Sequence, residues 1–585
     1  MGRTVGIGIQ DFGKIINNNY FYIDKTSFIR EWWESGDDVT LIARPRRFGK
    51  TLTMSMLERF FSVEYADRGE LFAELSIWQD AKYRDLQGTY PVISMSFANV
   101  KEKNYEMTRK KICRMLVDLY ANFAFVRDSG KLTEQDKEFF DSVMTNMDDS
   151  IATMAIHQLS GFLNRYYGKK VILLLDEYDT PMHSLLAEPE AIRSSPLGGE
   201  LPGECELISF IRSILNAAFK TNPCLERAVM TGITRVSKES VFSDLNNLKV
   251  VTTTSDEYAT AFGFTEEEVF AAMEECGRGG EKEKVKWWYD GFTFGEHRDI
   301  YNPWSILNFL DTGKYTTYWA NTSSNSLVGK LIREGSSDIK EQFEQLLYGK
   351  SILCSIDEQI VYNQLSENEE AVWSLLLAGG YLKVLSFRGY MDSPDYMTQQ
   401  YDLAITNHEV RIMFGEMVRG WFAQQKSDYN RFIKAFLAGD VEAMNVYMNR
   451  VALQTFSYFD TGSGPLGPEP ERFYHGFVLG LIVELQDRYV ITSNRESGFG
   501  RYDVMLEPRK EKDAGSPMEY DAFILEFKVR SPKRESDLEE TVRAALVQIE
   551  EKRYPEQLIA RGIKREHIRC YGFAFDGKTV LIDTE

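Results

Sequence analysis

The sequence is poor in cysteine, and the few cysteines it has are not arranged in pairs. No CxxC pattern occurs, and all six stand singly, at Cys113, Cys205, Cys224, Cys276, Cys354 and Cys570. Scattered cysteines disfavour both a disulfide framework and a thiolate zinc site. We therefore expect a reducing compartment, the cytoplasm.

Long apolar runs are also missing. No segment approaches the roughly 18 uninterrupted apolar residues that a membrane helix needs, and the first residues of the chain do not begin such a run. A secretory leader would show an apolar stretch there. The expectation is a soluble protein without a membrane partner.

Positive charge is in short supply. The chain has 68 Lys and Arg residues against 88 Asp and Glu residues, which gives a formal net charge of -20. Because a protein of this charge has no generally basic surface, any contact with nucleic acid requires a local basic patch. Six residues near the C-terminal end could contact a nucleic-acid backbone: Lys528, Arg530, Lys533, Arg534, Lys552 and Arg553. A solvated helix face explains most of these charges equally well.

The chain does have length and core-forming material. Its 585 residues are 43% hydrophobic and 13% aromatic, enough for several packed domains. The first half alternates strands and helices, which is typical of a mostly parallel sheet covered on both faces. Four strand candidates carry this pattern, at residues 39–43, 91–97, 171–175 and 227–231.

The pattern changes twice farther along the chain. From 256 to 450 it is mainly helical, and the stretch from 373 to 384 fits a winged-helix module and an ordinary helical linker equally well. A linker rich in Gly and Pro follows at 462–470. Beyond it, the order helix, three strands, helix, strand predicts a separate α/β unit. We thus expect an α/β multidomain chain.

A phosphate-binding pattern follows the first strand candidate. Residues 44–51 spell Arg-Pro-Arg-Arg-Phe-Gly-Lys-Thr and match GxxxxGK[ST], except that Arg44 replaces the first glycine. In such a loop, backbone N–H groups face the phosphates, the lysine reaches the β and γ oxygens, and the hydroxyl coordinates Mg²⁺. The pattern assigns the last two roles to Lys50 and Thr51.

Three more residues of this loop are nucleotide-binding candidates. Gly49 allows the backbone to approach the phosphates, and Arg46 and Arg47 make the loop unusually basic. The arginines either strengthen phosphate binding or serve internal salt bridges.

Two acids, Asp176 and Glu177, follow the third strand candidate. This is the Walker B arrangement, in which the aspartate holds Mg²⁺ through water and the glutamate orients the attacking water. A solvated acidic turn is the weaker interpretation, because two strand-end patterns occur in the right order. After the fourth strand, Thr231 and Arg235 are candidates for sensing the γ-phosphate, although an ordinary glycine turn with a surface arginine accounts for them as well.

These segments resemble a known family. Residues 20–26, 44–52, 176–179 and 301–305 are similar to the bacterial AAA-ATPase-like proteins, in which the Arg-Pro-Arg-Arg-Phe-Gly-Lys-Thr loop recurs. The resemblance covers roughly residues 7–325. It implies that the arginine at the start of the loop is a family feature, that ATP and Mg²⁺ are the cofactors, and that residues 20–26 lie near the nucleotide base.

Three residues suited to phosphodiester cleavage lie in the C-terminal unit. Glu526 and Lys528 stand two residues apart in a strand candidate and so project from one face. Asp503 joins them if the preceding strand pairs with this one. Two carboxylates bind a divalent metal, and the ammonium positions water or stabilises the transition state. The alternative is a surface hairpin with a cross-strand salt bridge.

Together with the element order, these residues resemble the PD-(D/E)XK nuclease superfamily over roughly residues 471–575. The resemblance implies that the aspartate is the motif Asp and that the glutamate and lysine are the ExK pair; the preceding Pro is absent. It further implies that Glu471 is an additional metal-binding acid. Gln548 and Tyr554 match the Gln-plus-Tyr feature of several of its families.

These patterns support one leading function and two alternatives. The leading hypothesis is ATP binding and hydrolysis coupled to cleavage of nucleic acid, DNA favoured over RNA, with Mg²⁺ or Mn²⁺ at the nuclease site. The first alternative is a nucleotide-controlled switch whose nuclease-like domain binds nucleic acid or protein without cutting. The second is an NTPase domain as the sole active part.

The expected domains are a P-loop NTPase domain, a helical lid, a helical or winged-helix connector and a nuclease-like domain. Their bounds are 1–255, 256–345, 346–461 and 462–585. We also expect that the chain can form a homo-oligomer, in which Arg235 acts within its own subunit or across an interface.

Overall fold

The computed structural model describes most of the chain. The described residues are 3–102, 104–182, 202–234, 242, 245–320, 328–329, 331–332, 336–357, 371–392, 399–422, 426–455, 478, 482, 485, 488–497, 500–509, 521–531, 534–576 and 579–584. Among them, no helix has the length and apolar character needed to cross a membrane. Arg235, Glu471 and the predicted linker 462–470 lie outside the described residues.

The chain divides into two compact units. The first consists of Met1–Ser324 and Leu353–Val410, and the second of Asn325–Ile352 and Arg411–Glu585. The division into four domains stays a prediction.

A five-stranded parallel sheet forms the centre of the first unit. Its strands are β1 Val39–Ala43, β2 Val92–Ser96, β3 Val171–Asp176, β4 Leu225–Gly232 and β5 Leu248–Val251. They lie in the order β2-β3-β4-β1-β5, and every pairing is parallel. Because β4 lies between β1 and β3, the carboxyl ends of these three strands meet at one edge, where ligands bind in sheets of this kind.

Helices cover both faces of this sheet, as the sequence predicts. The helices up to β5 are α1 Phe12–Asn17, α2 Ser27–Ser35, α3 Lys50–Phe61, α4 Ala81–Leu86, α5 Tyr105–Asn122, α6 Ala124–Arg127, α7 Glu134–Ser142, α8 Asp149–Ala152, α9 Ala155–Tyr167 and α10 Pro202–Leu215. Leu41 and Leu173 pack into one core with α5 and α9, while Ile42 and Leu174 pack into another with α2 and α3. This alternation is what a sheet buried on both sides requires.

The rest of the first unit is mainly helical but contains short strands. Its elements are β6 Phe264–Thr265, α11 Glu266–Glu275, α12 Lys282–Tyr289, β7 Phe292–Phe294, β8 His297–Tyr301 and α13 Pro303–Thr312. The three strands form an antiparallel sheet in the order β6-β8-β7.

The stretch 373–384, which fits a winged-helix module and a helical linker equally well, lies in a helix and the hairpin that follows it. Beyond α14 Ser337–Leu347 and β9 Ile352–Cys354, α15 Ala371–Ala378 leads into β10 Leu382–Arg388, which pairs antiparallel with β11 Gln400–Ile405. A winged-helix role for this segment stays a prediction.

The second unit carries a mixed sheet. Its strands are β12 Tyr489–Ser497, β13 Gly500–Pro508, β14 Ala522–Val529, β15 Ile568–Asp576 and β16 Thr579–Thr584. They lie in chain order; β14 and β15 are parallel, and the other pairs are antiparallel. The later helices of the chain are α16 His408–Phe422, α17 Lys426–Ala438, α18 Val441–Thr455, α19 Leu538–Glu551 and α20 Tyr554–Ala560. The sequence analysis did not anticipate α20 or β16.

Candidate functional site

Residues 44–51, which carry the phosphate-binding pattern and are called the phosphate loop below, run from the end of β1 into the start of α3. Gly49 caps α3 with a φ of 83°, in the left-handed region that glycine adopts without strain. Arg47 also has a left-handed backbone, with a φ of 65°. The helix that begins at Lys50 runs for 12 residues, and its first N–H groups can receive an anion at the loop.

Lys50 is held inside the loop. It is 7% exposed, and its Nζ donates hydrogen bonds of 2.8 Å to the backbone carbonyls of Arg44 and Pro45. Burial lowers the pKa of Lys50 to about 8, although the carboxylate of Asp176 acts in the opposite direction. A bound phosphate would compete with the two carbonyls for this ammonium group.

The two residues predicted to share Mg²⁺ are in contact. Thr51 Oγ1, in the first turn of α3, donates a hydrogen bond of 2.7 Å to Asp176 Oδ2 at the end of β3. The hydroxyl of Thr231 donates to the other carboxylate oxygen and accepts the N–H of Glu177 at 3.3 Å. A hydroxyl beside a buried carboxylate supplies the oxygen ligands that Mg²⁺ prefers.

Glu177 has an unusual backbone. Its φ of 51° lies in the left-handed region, which few non-glycine residues adopt and which recurs at functional sites. Its Oε2 accepts a hydrogen bond of 3.0 Å from Thr180 Oγ1. The backbone turn and this hydrogen bond therefore fix the direction of the Glu177 side chain next to Asp176, directly after β3.

Asp179 is a site residue for which the sequence analysis gave no role. It is 1% exposed, and its Oδ2 accepts the backbone N–H groups of Ile233 at 2.8 Å and Thr234 at 3.1 Å. These bonds fix the chain directly after β4, where the predicted γ-phosphate sensors begin. Only its place in the Asp-Glu-Tyr-Asp segment could have indicated it.

Arg44 serves internal contacts of the fold. Its fully buried guanidinium donates to the backbone carbonyls of Thr252 and Glu257 and lies 4.3 Å from the centre of the Phe294 ring. The side chain that replaces the first glycine of the pattern thus joins the loop to the segment after β5. The side chains of Arg46 and Arg47 are exposed.

The pKa of Lys50 predicts proton uptake on ATP binding. Phosphate favours the charged amine and raises its pKa, so at pH 8.5, where ATP phosphates are fully ionised and part of the free lysine is neutral, binding should take up a fraction of a proton. Below pH 7 the uptake should vanish, because the free amine is already charged. Without ligand, the buried charge of Lys50 lowers the stability of the folded protein below pH 8. This destabilisation decreases as the pH rises from about 8 toward 10.5, the ordinary pKa of lysine.

Isothermal titration calorimetry at pH 8.5 in two buffers of different ionisation enthalpy measures this uptake. Lys50→Arg is the control, because a guanidinium remains charged and takes up no proton. Equal binding heats for wild type in both buffers would show that the ammonium is fully charged before ATP binds.

The predicted cleavage residues share one face of the second sheet. Phe523, Leu525 and Phe527 of β14 enter one core, whereas Ile524 of the same strand and Met505 of β13 enter the other, with residues of α19 and α20. By the alternation of side chains along a strand, the predicted aspartate on β13 and the ExK pair on β14 belong to the face that these two helices cover.

Direct contacts bring these residues together. Asp503 Oδ2 accepts the backbone N–H of Phe527 at 2.8 Å. The side-chain amide of Gln548, on α19, donates to Glu526, and its carbonyl oxygen accepts a hydrogen bond of 2.7 Å from Lys528 Nζ. One glutamine therefore joins both members of the ExK pair.

Glu526 and Tyr554 of this site are buried, whereas Asp503 and Lys528 are half-buried. Glu526 is 2% exposed, so the alternative of a surface hairpin with an exposed salt bridge does not describe this residue. Tyr554 is 1% exposed, and burial, with the charges of Glu526 and Asp503, raises its pKa to about 12. The phenol thus lies close to both carboxylates and keeps its proton at neutral pH.

Two carboxylates on adjacent strands fit a hard divalent cation such as Mg²⁺ or Mn²⁺. Within the described ranges, no three His, Cys, Asp or Glu side chains are grouped as a ligand set. Among the described residues, Asp503 and Glu526 are therefore the candidates to hold such a cation. The third predicted acid, Glu471, lies in the undescribed part of the chain.

Fold and contacts together define the class: a parallel α/β sheet with a phosphate loop, and a separate mixed sheet with clustered acids. Family models agree with this architecture. Residues 6–242 match the family described as Predicted AAA-ATPase, and residues 469–585 match the PD-(D/E)XK nuclease superfamily. The chain thus contains one segment similar to the first family and one similar to the second, in agreement with the sequence resemblances.

A similar protein adds no assigned activity. It is described as an uncharacterized protein in the vnfD 5' region of Azotobacter chroococcum mcd 1. The two are 25% identical over 419 residues, which span 71% of this chain and 69% of that protein.

The described contacts of segment 20–26 lie within the fold. Lys25 Nζ bonds to the Glu268 carboxylate at 2.6 Å and to the Thr260 carbonyl at 2.8 Å. Asp24 accepts the backbone N–H groups of Thr26 at 2.8 Å and Ser76 at 2.7 Å. A position near the nucleotide base stays a prediction.

Proposed function

We propose that this protein binds and hydrolyses ATP at its phosphate loop and cleaves nucleic acid at its C-terminal sheet, the first reaction controlling the second. At the loop, Lys50 binds the β- and γ-phosphates, while Thr51 and Asp176 hold Mg²⁺. Glu177 orients the attacking water. Thr231, which donates to the Asp176 carboxylate and accepts the backbone N–H of Glu177, responds to the γ-phosphate. Arg46, Arg47 and Arg235 are further phosphate ligands in this proposal.

At the second site, Asp503 and Glu526 hold a divalent metal, with Glu471 as an added ligand. A divalent metal held there would polarise the phosphoryl oxygen and lower the pKa of the attacking water. Lys528 positions that water or stabilises the developing charge. Gln548 orients the glutamate and the lysine toward each other.

The contacts of Gln548 are the observation that carries the nuclease proposal. A buried carboxylate is costly unless it is hydrogen-bonded or binds a metal, and Glu526 is 2% exposed. The glutamine bonds to it and to Lys528 at the same time. Such an arrangement fixes two functional groups in one orientation, as an active site requires.

Two further expectations belong to this proposal. Nucleic acid is the partner, DNA before RNA, because the C-terminal segment matches a nuclease superfamily. The cytoplasm is the compartment, because the six cysteines stand singly in the sequence and form no CxxC pair.

Metal-dependent cleavage is the test. Purified full-length protein is incubated with plasmid DNA, single-stranded DNA and RNA of the same sequence, in Mg²⁺, in Mn²⁺ or in EDTA. We expect cleavage of DNA in either metal, slower cleavage of RNA, and no products in EDTA. Binding of DNA without any cleavage in either metal would replace this proposal by the nucleotide-controlled switch.

A further inference from the structure

One backbone carbonyl of the phosphate loop receives two side-chain donors. The carbonyl oxygen of Arg46 accepts a hydrogen bond of 3.0 Å from Trp319 Nε1 and one of 3.3 Å from Asn302 Nδ2. Both donors come from a part of the chain more than 250 residues later. A trans peptide points its C=O and the following N–H in opposite directions, so the N–H of Arg47 is directed away from these donors.

Asn302 is fixed by the helix that follows it. It is 1% exposed, and its Oδ1 caps α13 by accepting the N–H of Trp304 at 2.9 Å and the N–H of Ser305 at 3.3 Å. The Trp304 ring lies 4.3 Å from the guanidinium of Arg47. One helix start therefore contacts two consecutive residues of the phosphate loop.

Trp319 is fixed by a buried carboxylate. Glu409 is 1% exposed; it accepts the backbone N–H groups of Trp319 at 2.6 Å and Ala320 at 3.2 Å, and the hydroxyl of Ser305 at 2.8 Å. This carboxylate thus joins the tryptophan to the first turn of α13. Hydrogen bonds to a buried carboxylate are charge-assisted and hold their partners firmly.

We propose that Asn302, Trp319 and Glu409 form a loop clamp that positions the phosphate loop for nucleotide. The proposal rests on ATP binding at this loop. The clamp holds the Arg46 carbonyl toward Asn302 and Trp319, so that the N–H of Arg47 points the opposite way. This N–H is then in position for a phosphate oxygen before ATP binds. This preorganisation raises the affinity for ATP, because the conformational entropy of the loop is lost during folding and not during binding. These three are positioning residues, since they act through the loop backbone.

Trp319→Phe tests the clamp. Phenylalanine keeps a ring against Phe292 and Tyr381, whose ring centres lie 5.5 and 5.3 Å from that of Trp319, but it removes the N–H donor. We expect the Kd for ATP to rise about threefold to tenfold, the worth of one hydrogen bond. The same change should appear in KM, while kcat falls less than about twofold.

Trp373→Phe is the matched control. Trp373 is fully buried in the same unit, and in the described part of the chain its Nε1 has no hydrogen-bond partner. We expect this variant to match Trp319→Phe in thermal midpoint and wild type in ATP affinity. Asn302→Asp, which keeps the helix cap and loses the amide donor, should weaken ATP binding like Trp319→Phe. The double variant should show less than additive loss, because both donors act on one carbonyl.

Isothermal titration calorimetry with ATP and Mg²⁺ separates the outcomes. If Trp319→Phe binds ATP as wild type does, while Lys50→Ala does not bind, the clamp proposal is overturned and the ATP site stands. Equal losses in Trp319→Phe and Trp373→Phe would also overturn it, by showing a general packing effect. If wild type does not bind ATP, the clamp falls together with the function on which it rests.

Discussion

Replacing Glu526 by alanine is expected to reduce metal-dependent cleavage at least about a hundredfold. A metal that polarises the phosphoryl oxygen contributes several kcal/mol to the transition state, and each ~1.4 kcal/mol corresponds to a tenfold change in rate. Alanine removes a proposed ligand of that metal and leaves the amide of Gln548 without its carboxylate partner. The measurement is the initial rate of plasmid nicking in Mg²⁺.

Loss of folding must be separated from loss of chemistry in this variant. Glu526→Gln keeps the side-chain shape and removes the charge, and it should lose activity to a similar extent with little change in thermal midpoint. Glu507→Gln is the matched control, since Glu507 lies on β13 and pairs with Arg561, roughly 13 Å along the strand from Asp503 by strand geometry. Wild-type rates in Glu526→Gln would remove the proposed metal site.

Lys50→Ala is expected to abolish ATP binding and turnover in the same protein. In the proposed site the ammonium is the charge that reaches the β- and γ-phosphates, and alanine also leaves the carbonyls of Arg44 and Pro45 without this donor. A loss of affinity of at least about a hundredfold follows from removing a desolvated charge pair, which costs about 3 kcal/mol or more. Calorimetry and phosphate release measure binding and turnover.

The free protein should tolerate this substitution. Burial opposes the charge on Lys50, as its lowered pKa shows, so removing the amine relieves a cost, and this relief offsets the loss of its bonds to the Arg44 and Pro45 carbonyls. Lys249→Met serves as the control, because Lys249 lies on β5 of the same sheet and pairs at the surface with Glu257 at 2.5 Å. Normal ATP turnover in Lys50→Ala would place the nucleotide site elsewhere.

The ends of the site elements could be predicted because their signals are local. The glycine before Lys50, the apolar run before Asp176 and the spacing of Glu526 and Lys528 each lie within a few residues. The strand β1 and the start of α3 appear where these patterns place them. The short strand β5 was missed, because four residues that include Lys249 carry too little periodicity to stand out.

The partners of the site residues could not be predicted because their signals are not local. Arg44 bonds to a carbonyl 208 residues away, and Trp319 reaches the loop across 273 residues. No local sequence motif marks Glu409, because its buried partners lie in α13 and in the segment that follows α13. Chain folding alone brings such groups together, and one sequence does not record which pairs will meet.

The part that Gln548 plays in the site could be predicted only partly from the sequence. The family resemblance matched it to a Gln-plus-Tyr feature without placing it, and the structure puts its amide between Glu526 and Lys528. The spacing in the helix could not provide this, because it depends on how α19 packs across β14. Family resemblance and tertiary structure thus contribute different parts of the same site.

Control of the second site by the first is the central claim, and one assay tests it most directly. The initial rate of plasmid cleavage in Mg²⁺ is measured for wild type and for Lys50→Ala, each with and without ATP. The account predicts that ATP changes the wild-type rate at least about threefold, while Lys50→Ala cleaves at one rate in both conditions. A wild-type rate that is the same with and without ATP would contradict it.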